Sequence, residues 1–313
     1  MVLDPQAKVL LVQMEAAGSP PLESLPPAEA RQAFRALEGS SNEHLESVAK
    51  IESQRIPGPN GDIQIRVYTP EGEGPHPAFV FFHGGGWVIG DLDTHDNICR
   101  SLTNLANCVV VSVDYRLAPE HKFPIPIEDC YAASQWVFEH PSELNIDADK
   151  IAVGGDSAGG NLAAVVTHLA KERGTPKLSY QLLFYPSTDF TRETESMQDN
   201  AEGYFLTKDS MIYFRNHYLK NQEDARNLLA SPLLVEDLSE LPPAMVVTAE
   251  YDPLRDEGEA YANRLQGAGV PVILKRFEGM IHGFVSMADK LDKGKEALQF
   301  AADSLRNGFE KVK

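Results

Sequence analysis

The chain is 313 residues long, enough to bury the core of one large α/β unit and carry additions to it. Its 28 Lys and Arg stand against 46 Asp and Glu, a net charge of −18 that argues against nucleic acid or an anionic membrane as the main partner. The three cysteines, Cys99, Cys108 and Cys130, cannot all pair with one another and form no C-x-x-C, so they read as buried packing residues of a reducing compartment.

Residues 1 to about 50 read as helices interrupted by the proline-rich GSPPLESLPP. Asp4 stands where a signal peptide needs positive charge, and the apolar run VLLVQM is short. No stretch approaches the ~18 apolar residues that cross a bilayer, so a soluble, cytoplasmic protein is expected. The alternating IQIRVYTP reads as an edge-like strand wet on one side. PAFVFFHG, NCVVVSVDY, KIAVGG, YQLLFYP and PAMVVTAEY are continuous apolar runs, the pattern of parallel strands covered on both faces, and VPVILKRFEG looks like a last strand. Helical patterns near 94–106, 126–139, 158–173, 255–268 and 288–311 alternate with these runs. That rhythm predicts an α/β fold with a mostly parallel sheet between two helical layers. An exposed strand edge near the C-terminus leaves monomer and homodimer both open.

One interval breaks the rhythm. Between Pro186 and Pro243 the chain runs far longer than the roughly dozen residues a crossover needs, and it carries Tyr204, Phe205, Leu206, Met211, Tyr213, Phe214 and Tyr218. The expected organisation is an N-terminal helical cap segment (1–45), a core (46–186), a cap insertion (187–240) and the rest of the core (241–313).

The chemistry gathers around IAVGGDSAGGNLAAV. Gly155-Asp156-Ser157-Ala158-Gly159 fits G-x-S-x-G between a predicted strand and a predicted helix, the setting of a nucleophile elbow. A serine needs a positioned base, and in this arrangement the order is serine, acid, histidine, each past the carboxyl end of a strand. Asp252 follows AMVVTAEY and His282 follows VILKRFEG, with Asp256 as a reserve acid. His83 precedes the elbow and would be out of order. His83-Gly84-Gly85-Gly86 follows a buried strand, so the amides of Gly85 and Gly86 can join that of Ala158 around a developing oxyanion. The glycine run lacks the Lys and Ser/Thr of a phosphate loop. GDLDTHD resembles a calcium loop, but Asp96 stands where glycine is needed and Leu102 where glutamate is, so Asp93 or Thr94 reads instead as a helix N-cap.

HGGGW (83–87), DYRLAPE (114–120), GDSAGG (155–160), YDPLRDEG (251–258) and HGF (282–284), in that order, resemble the bacterial hormone-sensitive-lipase family of carboxylesterases, often called family IV. The resemblance runs from about residue 45 to the C-terminus. It implies an α/β-hydrolase fold with an eight-stranded, mostly parallel sheet and a helical cap, a triad of Ser157, Asp252 and His282, and an oxyanion hole of Gly85, Gly86 and Ala158. It also implies a small-molecule substrate, a short- to medium-chain acyl ester, and no metal or organic cofactor. Trp87, Tyr185, Phe205, Met211 and Phe214 are candidates for the substrate pocket, while Arg116 and Glu120 read as loop scaffolding. Two rivals remain open: an amide or aryl-acyl hydrolase, and a non-catalytic ligand-binding protein. Plant gibberellin receptors are of the second kind, but they lack the histidine that this chain keeps.

Overall fold

The computed structural model describes residues 2–39 and 45–311; residues 40–44, read above as the end of the N-terminal segment, lie outside the described residues. Among the described residues eight strands form one sheet: β1 (Lys50–Ile56), β2 (Ile63–Thr69), β3 (His76–Phe82), β4 (Val109–Asp114), β5 (Ile146–Asp156), β6 (Tyr180–Phe184), β7 (Ala244–Tyr251) and β8 (Val272–Ile281). Their order is β1-β2-β4-β3-β5-β6-β7-β8. The first two pairings, β1 with β2 and β2 with β4, are antiparallel, and every later pairing is parallel.

The helices are α1 (Pro5–Ala16), α2 (Pro27–Gly39), α3 (Asp96–Ala106), α4 (Ile125–Glu139), α5 (Pro141–Leu144), α6 (Ala158–Arg173), α7 (Glu195–Asp199), α8 (Lys208–Tyr218), α9 (Arg255–Gly267) and α10 (Asp292–Glu310). The period of two along each strand sends side chains to two separate cores. On β3, Phe79 and Phe81 join the core that also buries residues of α3 and α10, while Val80 and Phe82 face the side where α4 and α6 pack on the strand. Each buried Phe contributes roughly 1.5–3 kcal/mol by leaving water, so the continuous apolar runs are what hold both layers. The three cysteines are buried and unpaired within these cores. No described helix is long and apolar enough to cross a membrane.

Two sequence expectations change. The strand IQIRVYT keeps its alternating burial, but it lies inside the sheet because β1 pairs along its whole outer side. KIESQRI is mostly exposed and polar, and main-chain hydrogen bonds rather than an apolar face place it. The helix α3 starts at Asp96 after His95, with no side-chain cap. Asp93 gives its N–H to Asp91 Oδ1 (2.9 Å), and the Thr94 hydroxyl serves Asp91 and His95 instead.

The two additions meet over the C-terminal ends of the strands. Ser210 Oγ of α8 donates to Glu23 (3.0 Å), and the Tyr213 hydroxyl donates to the carbonyl of Leu25 (3.0 Å). The start of α1 is fastened to β8 and α10. Asp4 N–H donates to Gly279 O (3.0 Å), and Gln6 exchanges two hydrogen bonds with Asp292.

Candidate active site

The strand β5 ends at Asp156 and α6 begins at Ala158, which leaves Ser157 alone to turn the chain. It does so at φ 56°, ψ −116°, a conformation side chains rarely adopt. The turn is possible because α6 lies almost on β3: a Cβ on Gly159 would stand 1.9 Å from the carbonyl oxygen of Phe82. Glycine is therefore required there by contact.

His282 follows β8 and bridges the other two candidates. Its Nε2 lies 2.9 Å from Ser157 Oγ and its Nδ1 lies 2.7 Å from Asp252 Oδ2. A carboxylate only accepts, so Nδ1 carries the proton toward Asp252 and Nε2 is left to accept from the serine hydroxyl. Asp252 is fully buried, and its second oxygen accepts from Leu254 N–H (2.8 Å). Asp256, the reserve acid, points elsewhere: it accepts from Ser196 N–H (2.7 Å) and pairs with Arg255.

The glycine loop after β3 runs beside the elbow. Gly85 and Gly86 have φ of 114° and 58°, and Val88 and Ile89 both donate back to Gly85 O. Among the described residues the N–H groups of Gly85, Gly86 and Ala158 meet no protein acceptor. The loop's first amide, Gly84 N–H, donates to Asp156 Oδ1 (2.7 Å), which also faces His95 Nε2 (3.3 Å). Burial opposes the charge on Asp156, but His95 and the Gly84 amide outweigh it and hold its pKa below the usual carboxylate value. His83 stacks on Tyr115 at 4.3 Å, and burial lowers its pKa to about 4, so it is a neutral packing residue.

Ser157 and His282 open onto a cavity of about 950 Å³. Trp87, Phe205, Met211 and Phe214 line it as the sequence suggested, joined by Phe190 and by Leu11, Leu22 and Phe34 of the N-terminal segment. Tyr185 does not line it. Its ring packs behind His282 at 4.7 Å and against Phe284 at 5.8 Å. At φ 35° its backbone breaks the strand alternation, so Tyr185 joins the same core as its neighbour Phe184. Asp156 and His95 were not singled out by the sequence, and Glu257 was weighed only as a poorer acid inside the helix after Pro253, yet all three reach the cavity wall. Only their place beside the motifs marked them, because their partners lie far away in the chain.

A family model described as an alpha/beta hydrolase fold matches residues 79–286. A carboxylic ester hydrolase of Mycobacterium tuberculosis, LipN, is 49% identical over 74% of this chain, which spans 63% of that relative's length. An arylesterase of Saccharolobus solfataricus is 44% identical over 76% of this chain and 78% of its own. Among solved structures, an alpha/beta hydrolase enzyme from the metagenome of Lake Arreo, Spain, superposes with a TM-score of 0.96 at 42% identity, covering 99% of both chains. An esterase of Pyrobaculum calidifontis does so with a TM-score of 0.92 at 42% identity, over 99% of this chain and 100% of its own. The chain belongs to the α/β-hydrolase fold family, among its hormone-sensitive-lipase-like carboxylesterases.

Proposed function

We propose that the protein is a serine carboxylesterase acting on short- to medium-chain acyl esters, with Ser157, His282 and Asp252 as its triad. The observation that carries this reading is the line of contacts at 2.9 and 2.7 Å from Ser157 through His282 to Asp252, at the floor of a mostly apolar cavity. The relatives named as ester hydrolases support it.

His282 Nε2 takes the Ser157 proton as Oγ bonds to the ester carbonyl carbon, and the carbonyl electron pair moves onto oxygen. The amides of Gly85, Gly86 and Ala158 stabilise that oxyanion, at roughly 3 kcal/mol for a donor of this kind. Asp252 holds the imidazole in the right tautomer and stabilises it once charged. Collapse expels the alcohol, which receives the proton from His282. Water then enters, gives a proton to the same nitrogen, and repeats the sequence on the acyl-enzyme. Residues 2–39 and 187–240 act together as a cap. Phe214, packed onto Gly86, and Phe205, packed onto Gly283, bound the space left for the acyl chain.

The test is the initial rate of p-nitrophenyl butyrate hydrolysis by wild type and Ser157→Ala, followed by a series from acetate to palmitate. A loss of about a thousandfold or more in the variant is expected, with rates declining beyond mid-length chains. Equal rates in the two proteins refute the assignment of Ser157, and rates that rise to the longest chain refute the substrate class.

A further inference from the structure

Three successive glycines give the 84–86 loop no side chains by which to fix its own amides, so something outside the loop must hold them in place. One end is held by Asp156 and His95, as described above. The other end is held from the N-terminal segment. Arg31 of α2 donates from Nε to the carbonyl of Val88 (2.8 Å), two residues past Gly86, and from Nη2 to the carbonyl of Ala118 (2.8 Å). The same guanidinium grips Glu120 through Nη1 (2.9 Å) and Nη2 (2.6 Å). Ala118 in turn donates its N–H to Trp87 O (2.8 Å), so two neighbouring peptide groups after Gly86 are tied to one anchor. One turn along α2, Arg35 pairs with Asp91. The second oxygen of Asp91 accepts from Thr94 N–H (2.9 Å), and the Thr94 hydroxyl meets His95 Nδ1 (2.8 Å). The path returns to Asp156 and Gly84.

We propose that Arg31 is a positioning residue for the oxyanion-hole loop, through which the N-terminal segment sets the turnover rate as well as roofing the cavity. The proposal rests on the esterase reading above. Its physical basis is the guanidinium's planar fork: charge-assisted hydrogen bonds to two carbonyls and a carboxylate fix direction as well as distance. The Arg31 side chain is 23% exposed, so its bonds to the carbonyls of Val88 and Ala118 are partly shielded from water, while the Glu120 carboxylate lies at the surface. A lysine can reach one of the acceptors but cannot reproduce the fork.

The experiment measures kcat and KM on p-nitrophenyl butyrate, affinity for an alkylboronic acid, and Tm. It compares wild type, Arg31→Ala, Arg31→Lys and Arg276→Ala. The boronic acid forms a tetrahedral anion on serine and so reports on the hole without turnover. Arg276 of β8 pairs with Glu259 of α9 and touches neither the glycine loop nor the triad, so its loss reports a purely structural ion pair. For Arg31→Ala, kcat and boronic acid affinity are expected to fall together by about 10- to 100-fold while KM changes by less than about threefold. Arg31→Lys is expected to be intermediate, and methylguanidinium to restore part of the Arg31→Ala activity. Arg276→Ala is expected to lower Tm with kcat within about twofold of wild type. The proposal is overturned if Arg31→Ala lowers Tm alone and leaves kcat and boronic acid affinity at wild-type values. If Arg31→Ala does not fold, an unchanged kcat in Arg31→Lys overturns it equally. An inactive wild type would instead overturn the esterase reading itself, and the proposal with it.

Discussion

Glu257 stands on α9 against the cavity, 2% exposed, and among the described residues no cation contributes to its electrostatics. Burial pushes its pKa up to about 8, although the N–H groups of Thr188 and Asp189 pull the other way, and the carboxylate of Asp189 adds to the rise. A raised pKa means that the folded protein keeps a proton the unfolded chain has lost. The stability tied to this group is thus fully present below about 4.5 and is lost as pH rises through about 8. Glu257→Gln keeps the acceptor for Thr188 and removes the titration. The Tm of the variant relative to wild type is expected to climb with pH across that window; parallel curves would contradict this. Ser157, Asp252 and His282 were legible because motif, order and the preceding apolar runs converge on them. Glu257 was not, because its state depends on Thr188 and Asp189 in a distant loop. Arg31 was equally hidden, since an arginine in an amphipathic helix reads as a solvated face until its acceptors at Val88 and Ala118 are known.

At the scale of elements, the elbow is a packing problem solved by glycine. Gly159→Ala drives a methyl group into the Phe82 carbonyl, which is main chain and cannot swing aside. A loss of about 1–3 kcal/mol from overpacking is expected, together with reduced kcat because Ser157 is displaced. Wild-type stability in urea unfolding would contradict it. The covered strands could be read from the sequence because both of their faces are apolar, and α6 because its pattern begins directly after the turn. β1 could not, since it shows the solvent most of its side chains and belongs to the sheet mainly through its backbone, with Ile56 its one buried side chain. Tyr185 was misplaced for a related reason. Alternation predicts its face only while the backbone stays extended, and at φ 35° it does not.

At the scale of the whole molecule, the sheet brings three strand ends together and the two additions enclose them. The walls of the cavity come from α1, α2, α8 and the 187–206 stretch, segments far apart in sequence that meet at Glu23–Ser210 and Leu25–Tyr213. The sequence showed that the additions exist, through the overlong interval after Pro186, but not which side chains face inward. Phe214 tests the enclosure: a Cβ on Gly86 would stand 2.2 Å from its ring, so the ring closes directly over the loop. Phe214→Leu is expected to raise the decanoate-to-butyrate rate ratio by about tenfold, the scale of a few methylene groups in an apolar pocket. An unchanged ratio would place the acyl chain elsewhere. The claim on which all of this rests is that Ser157 itself becomes acylated. The most direct measurement is mass spectrometry of protein quenched during turnover of p-nitrophenyl butyrate, with peptide mapping across residues 151–173. One butyryl group on Ser157, absent in Ser157→Ala, is the expected result. Sustained hydrolysis with no acyl adduct, or with the adduct on another residue, would contradict the account.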